Sequence, residues 1–168
     1  LRQLACAPGL VVDDAGPLSA KLETLVNDVA QVIDEGHAVL VFSSFVRLLD
    51  LAANALEKEG VAFLRLQGDT PAKERAAAVE SFQRGDAKVF LVSLKAGGTG
   101  LNLTAADYVF ILDPWWNPAV EDQAADRAHR IGQTRPVTIV RLVSKDTLEE
   151  QVLALHARKR ALVADVME

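Results

Sequence analysis

The stretch KVFLVSLKAGGTGLNLTAADYVFILDPWWNP, residues 88–118, contains two short apolar runs, each followed by polar material. KVFLVS (88–93) and YVFIL (108–112) are nearly continuous in hydrophobicity and rich in β-branched and aromatic residues. That suits strands covered on both faces, as in a parallel sheet, better than the alternation of a half-wet antiparallel one. Working outward, the same signature recurs in AVLVFS (38–43), VAFLRL (61–66) and VTIVRLV (137–143). Helical patterns lie between these runs, at roughly 19–35, 46–59, 71–84 and 118–131, with a last one from 147 to about 166. Strand alternating with helix in this order predicts an α/β domain with a mainly parallel central sheet flanked by helices.

The helix starts are marked. Thr70–Pro71 and Asn117–Pro118 each pair an N-capping residue with proline at the first helical position. Asp146 and Glu149 have the spacing of a capping box. APGLVVDDAGPLS (7–19) reads as a surface connection into the first helix. There is no internal repeat and no low-complexity tract.

At 168 residues, with half of them apolar, the chain can bury a real core as one domain. No apolar run approaches the ~20 residues that span a bilayer, and no signal-peptide pattern is present. A single cysteine, Cys6, excludes an internal disulfide and fits a reducing compartment. His37, His129 and His156 have no neighbours at metal-ligand spacing, so no metal site is expected. A net charge of −5 argues mildly against nucleic acid unless a local face binds it. The chain opens at Leu1 in mid-pattern, which reads as a piece of a longer protein. The Ala-rich, cysteine-poor composition points to a prokaryotic cytoplasmic source.

Ligands of open α/β sheets gather beyond the carboxyl ends of the strands. Here those ends carry SSF (43–45), QGDT (67–70), LKAGGTGLN (94–102) and DPWWNP (113–118). The glycines of the third segment permit close backbone approach, but they match neither G-x-x-x-x-G-K-[ST] nor G-x-G-x-x-G, and on glycine content alone a tight strand-to-helix turn is the favoured reading. On a helix from Pro118, Val120, Ala124, Ala128 and Ile131 form an apolar stripe beside a polar one of Gln123, Arg127 and Arg130. Guanidinium forks suit the oxygens of a phosphate in transfer. The plainer reading is a solvated face with an Asp126–Arg130 ion pair worth a few tenths of a kcal/mol. Trp115 and Trp116 could stack on a ligand or close the core, and we expect one of each. Ser43, Ser44, Thr70, Ser93 and Lys95 could track a phosphate backbone or serve as turn residues. His129 reads as a structural hydrogen-bonder, and HARKRAL (156–162) as a solvated helix end.

Together, in order and spacing, VLVFSSF, LRLQGDTPAKER, VSLKAGGTGLNLTAADYVFILDPWWNP and DQAADRAHRIGQTRPV resemble the second RecA-like lobe of Swi/Snf-type ATPases. LRQLACAPGLV resembles the opening of that lobe and KDTLEEQVLALHARKRALV its closing brace helix. The resemblance implies a RecA-like three-layer domain at 19–145, a lead-in at 1–18 and a brace helix at 146–168. In this family a first lobe binds ATP and Mg²⁺, carrying the Walker loop and the DExH acid. The second lobe closes on it. By motif position Arg127 and Arg130 would be arginine fingers, Gln123 would reach toward the phosphates, and Gly98, Gly100 and Asn102 would lie near the nucleotide. Ser43, Thr70, Ser93, Lys95 and Trp116 would contact double-stranded DNA. The implied activity is ATP-driven translocation on duplex DNA, with the lobe alone inactive. The implied partners are the first lobe, DNA and a DNA-bound protein such as RNA polymerase or a nucleoid or chromatin protein. The location would be the nucleoid or the nucleus, and no membrane.

Ser44 stands where the family commonly has Gln, Gln67 where Asp is frequent, and Ala7 where the opening motif has His. A different class of function is a RecA-like docking module without catalysis. An independent small-molecule enzyme lacks any nucleophile–base pair or cofactor fingerprint here.

Overall fold

The computed structural model describes residues 19–97 and 100–166. The elements, in chain order, are α1 (Ala20–Asp34), β1 (Val39–Ser43), α2 (Val46–Lys58), β2 (Phe63–Leu66), α3 (Ala72–Arg84), β3 (Val89–Ser93), α4 (Leu94–Gly97), β4 (Tyr108–Ile111), α5 (Pro118–Ala125), β5 (Thr138–Arg141) and α6 (Leu148–Val166). The five strands pair in the order β2-β3-β1-β4-β5, and every pairing is parallel. The lead-in segment with Cys6 and Ala7, and the loop residue Gly98, lie outside the described residues.

The predicted strands are all present, each within two residues of its expected ends. Burial explains why the central ones were easiest to read: β1 and β3 are buried at every position. Their side chains nevertheless alternate between two cores. Val39, Val41, Val89, Leu91 and Phe110 pack under α1 and α2 with Leu25, Val29, Leu49 and Leu56. Leu40, Phe42, Phe90, Val92, Val109 and Ile111 face the other way, toward Phe82 of α3 and Ala124 at α5. The result is three layers, helix, sheet and helix. The edges are less covered than the sequence implied. β2 is half-buried at Phe63–Arg65, and Ile139 on β5 is exposed.

Three sequence expectations shift. Helix α5 stops at Ala125 instead of continuing to 131. α3 begins at Ala72, and Thr70 Oγ1 accepts from the backbone N–H of Gln67 at 3.0 Å instead of capping the helix. The last helix is capped one residue later than expected. Asp146 sits at φ 58°, a turn conformation that a helix N-cap does not adopt. Thr147 Oγ1 accepts from the N–H of Glu149, and Glu150 reaches back to the N–H of Asp146. The Asn117 cap holds as read, its side chain accepting from the N–H of Ala119 at 3.2 Å.

At the amino ends of the strands, buried Asp107 joins three segments. It accepts from His37 Nδ1 at 2.6 Å, from Arg135 Nη1 at 3.1 Å and from the N–H of Ala38 at 3.1 Å. Burial alone would raise its pKa, but the hydrogen bonds from His37, Arg135 and Ala38 outweigh that and hold it below the ordinary carboxylate value. A depressed folded-state pKa stabilises fully above the unfolded value of ~3.9 and loses that contribution as pH falls through the folded one. Asp107→Asn should therefore flatten the fall in stability below about pH 4, and urea midpoints measured from pH 6 to 3 would check it. An unchanged slope would remove Asp107 from the acid response.

Candidate functional site

The carboxyl ends of the strands lie side by side. Parallel pairing sets Ser43 opposite Ser93. The loop after β4 is drawn across them by Asp113, which is fully buried. Its carboxylate accepts from Ser43 Oγ at 2.5 Å, from the N–H of Ser44 at 3.1 Å and from the Ser44 hydroxyl. Ser93 Oγ accepts from the N–H of Ala96 at 3.3 Å, starting the single turn of α4. Both Ser43 and Ser93 thus stand on the expected edge with their hydroxyls turned inward, 0% and 3% exposed. As the protein stands, neither offers its hydroxyl to a strand of DNA. On the surface of that edge are Lys95, whose Cβ approaches Gly68, half-buried Thr70, and Trp116, which is 44% exposed.

The two tryptophans differ in exposure, Trp115 half-buried and Trp116 exposed. What holds their turn was not legible. Glu121, on the first turn of α5 and fully buried, accepts from the N–H of Trp115 and from Arg141 Nε, both at 2.8 Å. His156 of α6 donates to the carbonyl of Trp115 and lies 4.0 Å from Glu121. The histidine that braces this region is therefore His156, whereas His129 is exposed.

Beyond α5 the regular helix gives way to looser turns, the N–H of Asp126 donating to the carbonyl of Asp122 and that of His129 to Ala125, before the chain reverses. The carbonyl of Arg127 accepts from the N–H of Leu103 at 2.9 Å, which fastens the arginine segment to the strand-connecting loop. Gln133 Nε2 donates to the carbonyls of Thr104, Ala106 and Ala128 at 3.1, 2.6 and 3.2 Å. Gly132, at φ 105°, makes the reversal between these anchors, a backbone region few other residues enter. The Asp126–Arg130 ion pair does not form, because the helix that would align them has ended. Arg130 instead donates from Nη1 to the carbonyl of Gly100 at 3.2 Å. Arg130, Asn102 and Ile131 line one shallow pocket. Gln123 is exposed on α5.

Arg127 is the anomaly. It is 8% exposed, and its Nε is buried with no hydrogen-bond partner among the described residues. Burial, and after it the like charge of Arg130, push the guanidinium below the ordinary arginine value against the pull of Asp126. A buried cation with an unused donor beside a second cation is a place that favours an anion.

Gln133, Asp113 and Glu121 escaped the sequence reading, since a polar side chain bonded to backbone leaves no spacing pattern. Gln133→Leu should leave the carbonyls of Thr104, Ala106 and Ala128 without that donor. The expected loss is about 1–3 kcal/mol in urea unfolding, with faster amide exchange across 127–133. Unaltered exchange there would show that the clamp is not what fixes the arginines.

The helicase conserved C-terminal domain family matches residues 20–132. DNA repair protein RAD5 of Cryptococcus neoformans is 43% identical over 149 residues, 86% of this chain and 12% of that protein. Chromodomain-helicase-DNA-binding protein 1-like of Danio rerio is 45% identical over 150 residues, 89% of this chain and 15% of that protein. Among solved structures, the C-terminal part of the Fun30 ATPase domain superposes with a TM-score of 0.79 at 35% identity, covering 91% of this chain and 52% of that one. Both protein relatives are eukaryotic, so the bacterial source read from composition finds no support. The chain spans a small part of each relative, and it belongs to the helicase conserved C-terminal domain family as a RecA-like lobe of the Swi/Snf type.

Proposed function

We propose that this lobe is the second half of a DNA-dependent ATPase that translocates on duplex DNA, presenting Arg127 and Arg130 to ATP held on a first lobe. The observation that carries the reading is the buried, unpartnered Nε of Arg127 beside Arg130. Two such cations suit the charge that spreads over a phosphoryl group in transfer. Asn102 and Arg130 share a pocket, and Gly100 is bonded to Arg130, which supports the nucleotide-proximal roles of Asn102 and Gly100. Gln123 and Gly98 complete that set by motif position. Mg²⁺ would be held with the nucleotide by the first lobe and would neutralise phosphate charge there.

For DNA, Lys95, Thr70 and Trp116 are the surface contacts. Ser43 and Ser93 act through the backbone they brace. Residues 1–18 lead into the lobe, 19–145 form it, and 146–168 close it. The names of the relatives support DNA and chromatin as the setting, with a nuclear location. A bare docking module would have no use for a buried arginine with an idle donor.

The test is ATP hydrolysis with and without duplex DNA by this lobe, by the full-length protein and by its Arg130→Ala variant. A silent lobe, a DNA-stimulated parent and a variant that binds ATP without turning it over are expected. Normal turnover by the variant would sink the assignment.

A further inference from the structure

Ile131 belonged, by sequence periodicity, on the buried stripe with Ala124 and Ala128. Those two are buried, and Ile131 is fully exposed at 103%. A single exposed apolar side chain is ordinarily unremarkable, because a mobile loop can carry one at little cost. This loop is fastened on both sides. Arg130 is bonded to the carbonyl of Gly100, Gln133 donates to three carbonyls, and the Arg127 carbonyl accepts from Leu103. Between those anchors Gly132, at φ 105°, turns the chain so that Ile131 projects from it. The side chain also lines the pocket that holds Asn102 and Arg130. A fastened turn thus presents an isoleucine beside the Arg130 cation, a pairing that suits a surface apolar next to anionic charge.

From this we infer that Ile131 is an interlobe contact, seating on an apolar patch of the first lobe beside the ATP phosphates when the lobes close. The inference rests on the reading of Arg127 and Arg130 as facing that nucleotide. It adds the partner surface and the residue that registers closure. The family match ends at residue 132, one position beyond this tip, and the chain spans 12–15% of relatives that are much longer, so the proposed first lobe would lie elsewhere in the protein.

The test places photoreactive p-benzoylphenylalanine at position 131 of the full-length protein, with position 139 as an exposed control, and maps cross-links with and without AMP-PNP and Mg²⁺. Cross-links from 131 to the first lobe that rise several-fold with nucleotide, and none of that kind from 139, are expected. Cross-links to DNA, to another copy or within the same lobe overturn the inference, as does their absence. A second measurement avoids the bulky probe. Ile131→Ser should leave the melting temperature where it was, since the side chain is exposed, and reduce DNA-stimulated turnover roughly fivefold. Unchanged turnover also overturns it. Arg130→Ala, assayed alongside, reports on the nucleotide reading by itself: if that variant loses turnover while position 131 stays silent, the failure belongs to Ile131 alone.

Discussion

Arg127→Met in the full-length protein should lower ATP turnover by about 10³–10⁵-fold while leaving the lobe as stable as before or more so. The two halves of that expectation come from one geometry. Arg127 is held 8% exposed with Nε unpartnered among the described residues, and burial, then the like charge of Arg130, depress its pKa. In the isolated lobe this arrangement is unfavourable, because a desolvated cation lacks the acceptor it was removed from water to meet. Methionine fills similar space without the charge, so thermal unfolding should show no loss. Such a trade of stability for function is the signature expected of a finger arginine. On the proposed reading, the same charge would face a phosphoryl group whose charge grows in the transition state. The effect should therefore fall on kcat, with ATP affinity changed little. Arg130→Ala should also reduce kcat and leave stability near wild type, since that side chain is exposed and, among the described residues, makes one hydrogen bond, to Gly100. If Arg127→Met destabilises the lobe by several kcal/mol, Arg127 is a structural cation and the finger assignment fails for it.

The sequence could give the sheet because each strand is an apolar run bounded by turn residues, and because burial on both faces leaves no ambiguity of period at β1 and β3. It misjudged the arginine segment for an equally physical reason. The stripe of Val120, Ala124, Ala128 and Ile131 satisfies helical periodicity, and nothing local ends the helix at Ala125. Tertiary hydrogen bonds end it: Leu103 to the carbonyl of Arg127, and Gln133 to carbonyls of a loop 27 and 29 residues away. Long-range partners of that kind leave no mark within a window of sequence. The site edge was legible as a place but not in detail. Ser43, Ser93 and Trp116 do lie at the carboxyl ends of the strands, yet the direction of the Ser43 side chain depends on Asp113, which with Ser44 pulls the first and fourth loops together. Glu121 carries no signal in the sequence and Glu149 reads there only as a capping-box partner of Asp146, yet both are buried. The arginine roles came from resemblance to a family. The orphaned Nε is a property of the folded chain and gives that resemblance a physical footing.

Lys21→Met should destabilise the lobe by about 3–5 kcal/mol, as large a loss as any single exchange here is expected to produce. Lys21 on α1 and Glu149 on α6 are both buried, their side chains 4% and 1% exposed. Lys21 Nζ donates to both carboxylate oxygens, at 2.7 and 2.6 Å, and to the carbonyl of Leu112 at 2.8 Å. Glu149 also accepts from the N–H of Ser144 at 2.7 Å. The pair thus ties the brace helix to the first helix and to the end of β4, directly beneath the Asp113 turn. Replacing lysine alone leaves a buried carboxylate without its cation, and that uncompensated charge dominates the loss. The double exchange Lys21→Met with Glu149→Leu removes both charges and should recover a large part of it. Recovery should remain incomplete, because the carbonyl of Leu112 and the N–H of Ser144 each lose a partner, at about 1–3 kcal/mol apiece if they stay dry. A double-mutant cycle in urea should therefore give a coupling well above the 0.2–1 kcal/mol typical of exposed pairs. A single-exchange loss below about 1 kcal/mol would mean that water reaches the pair and that α6 docks by apolar contact alone. The larger value would make the brace helix part of the cooperative lobe, so that the loop carrying Trp116 is positioned by α6 as well as by the sheet.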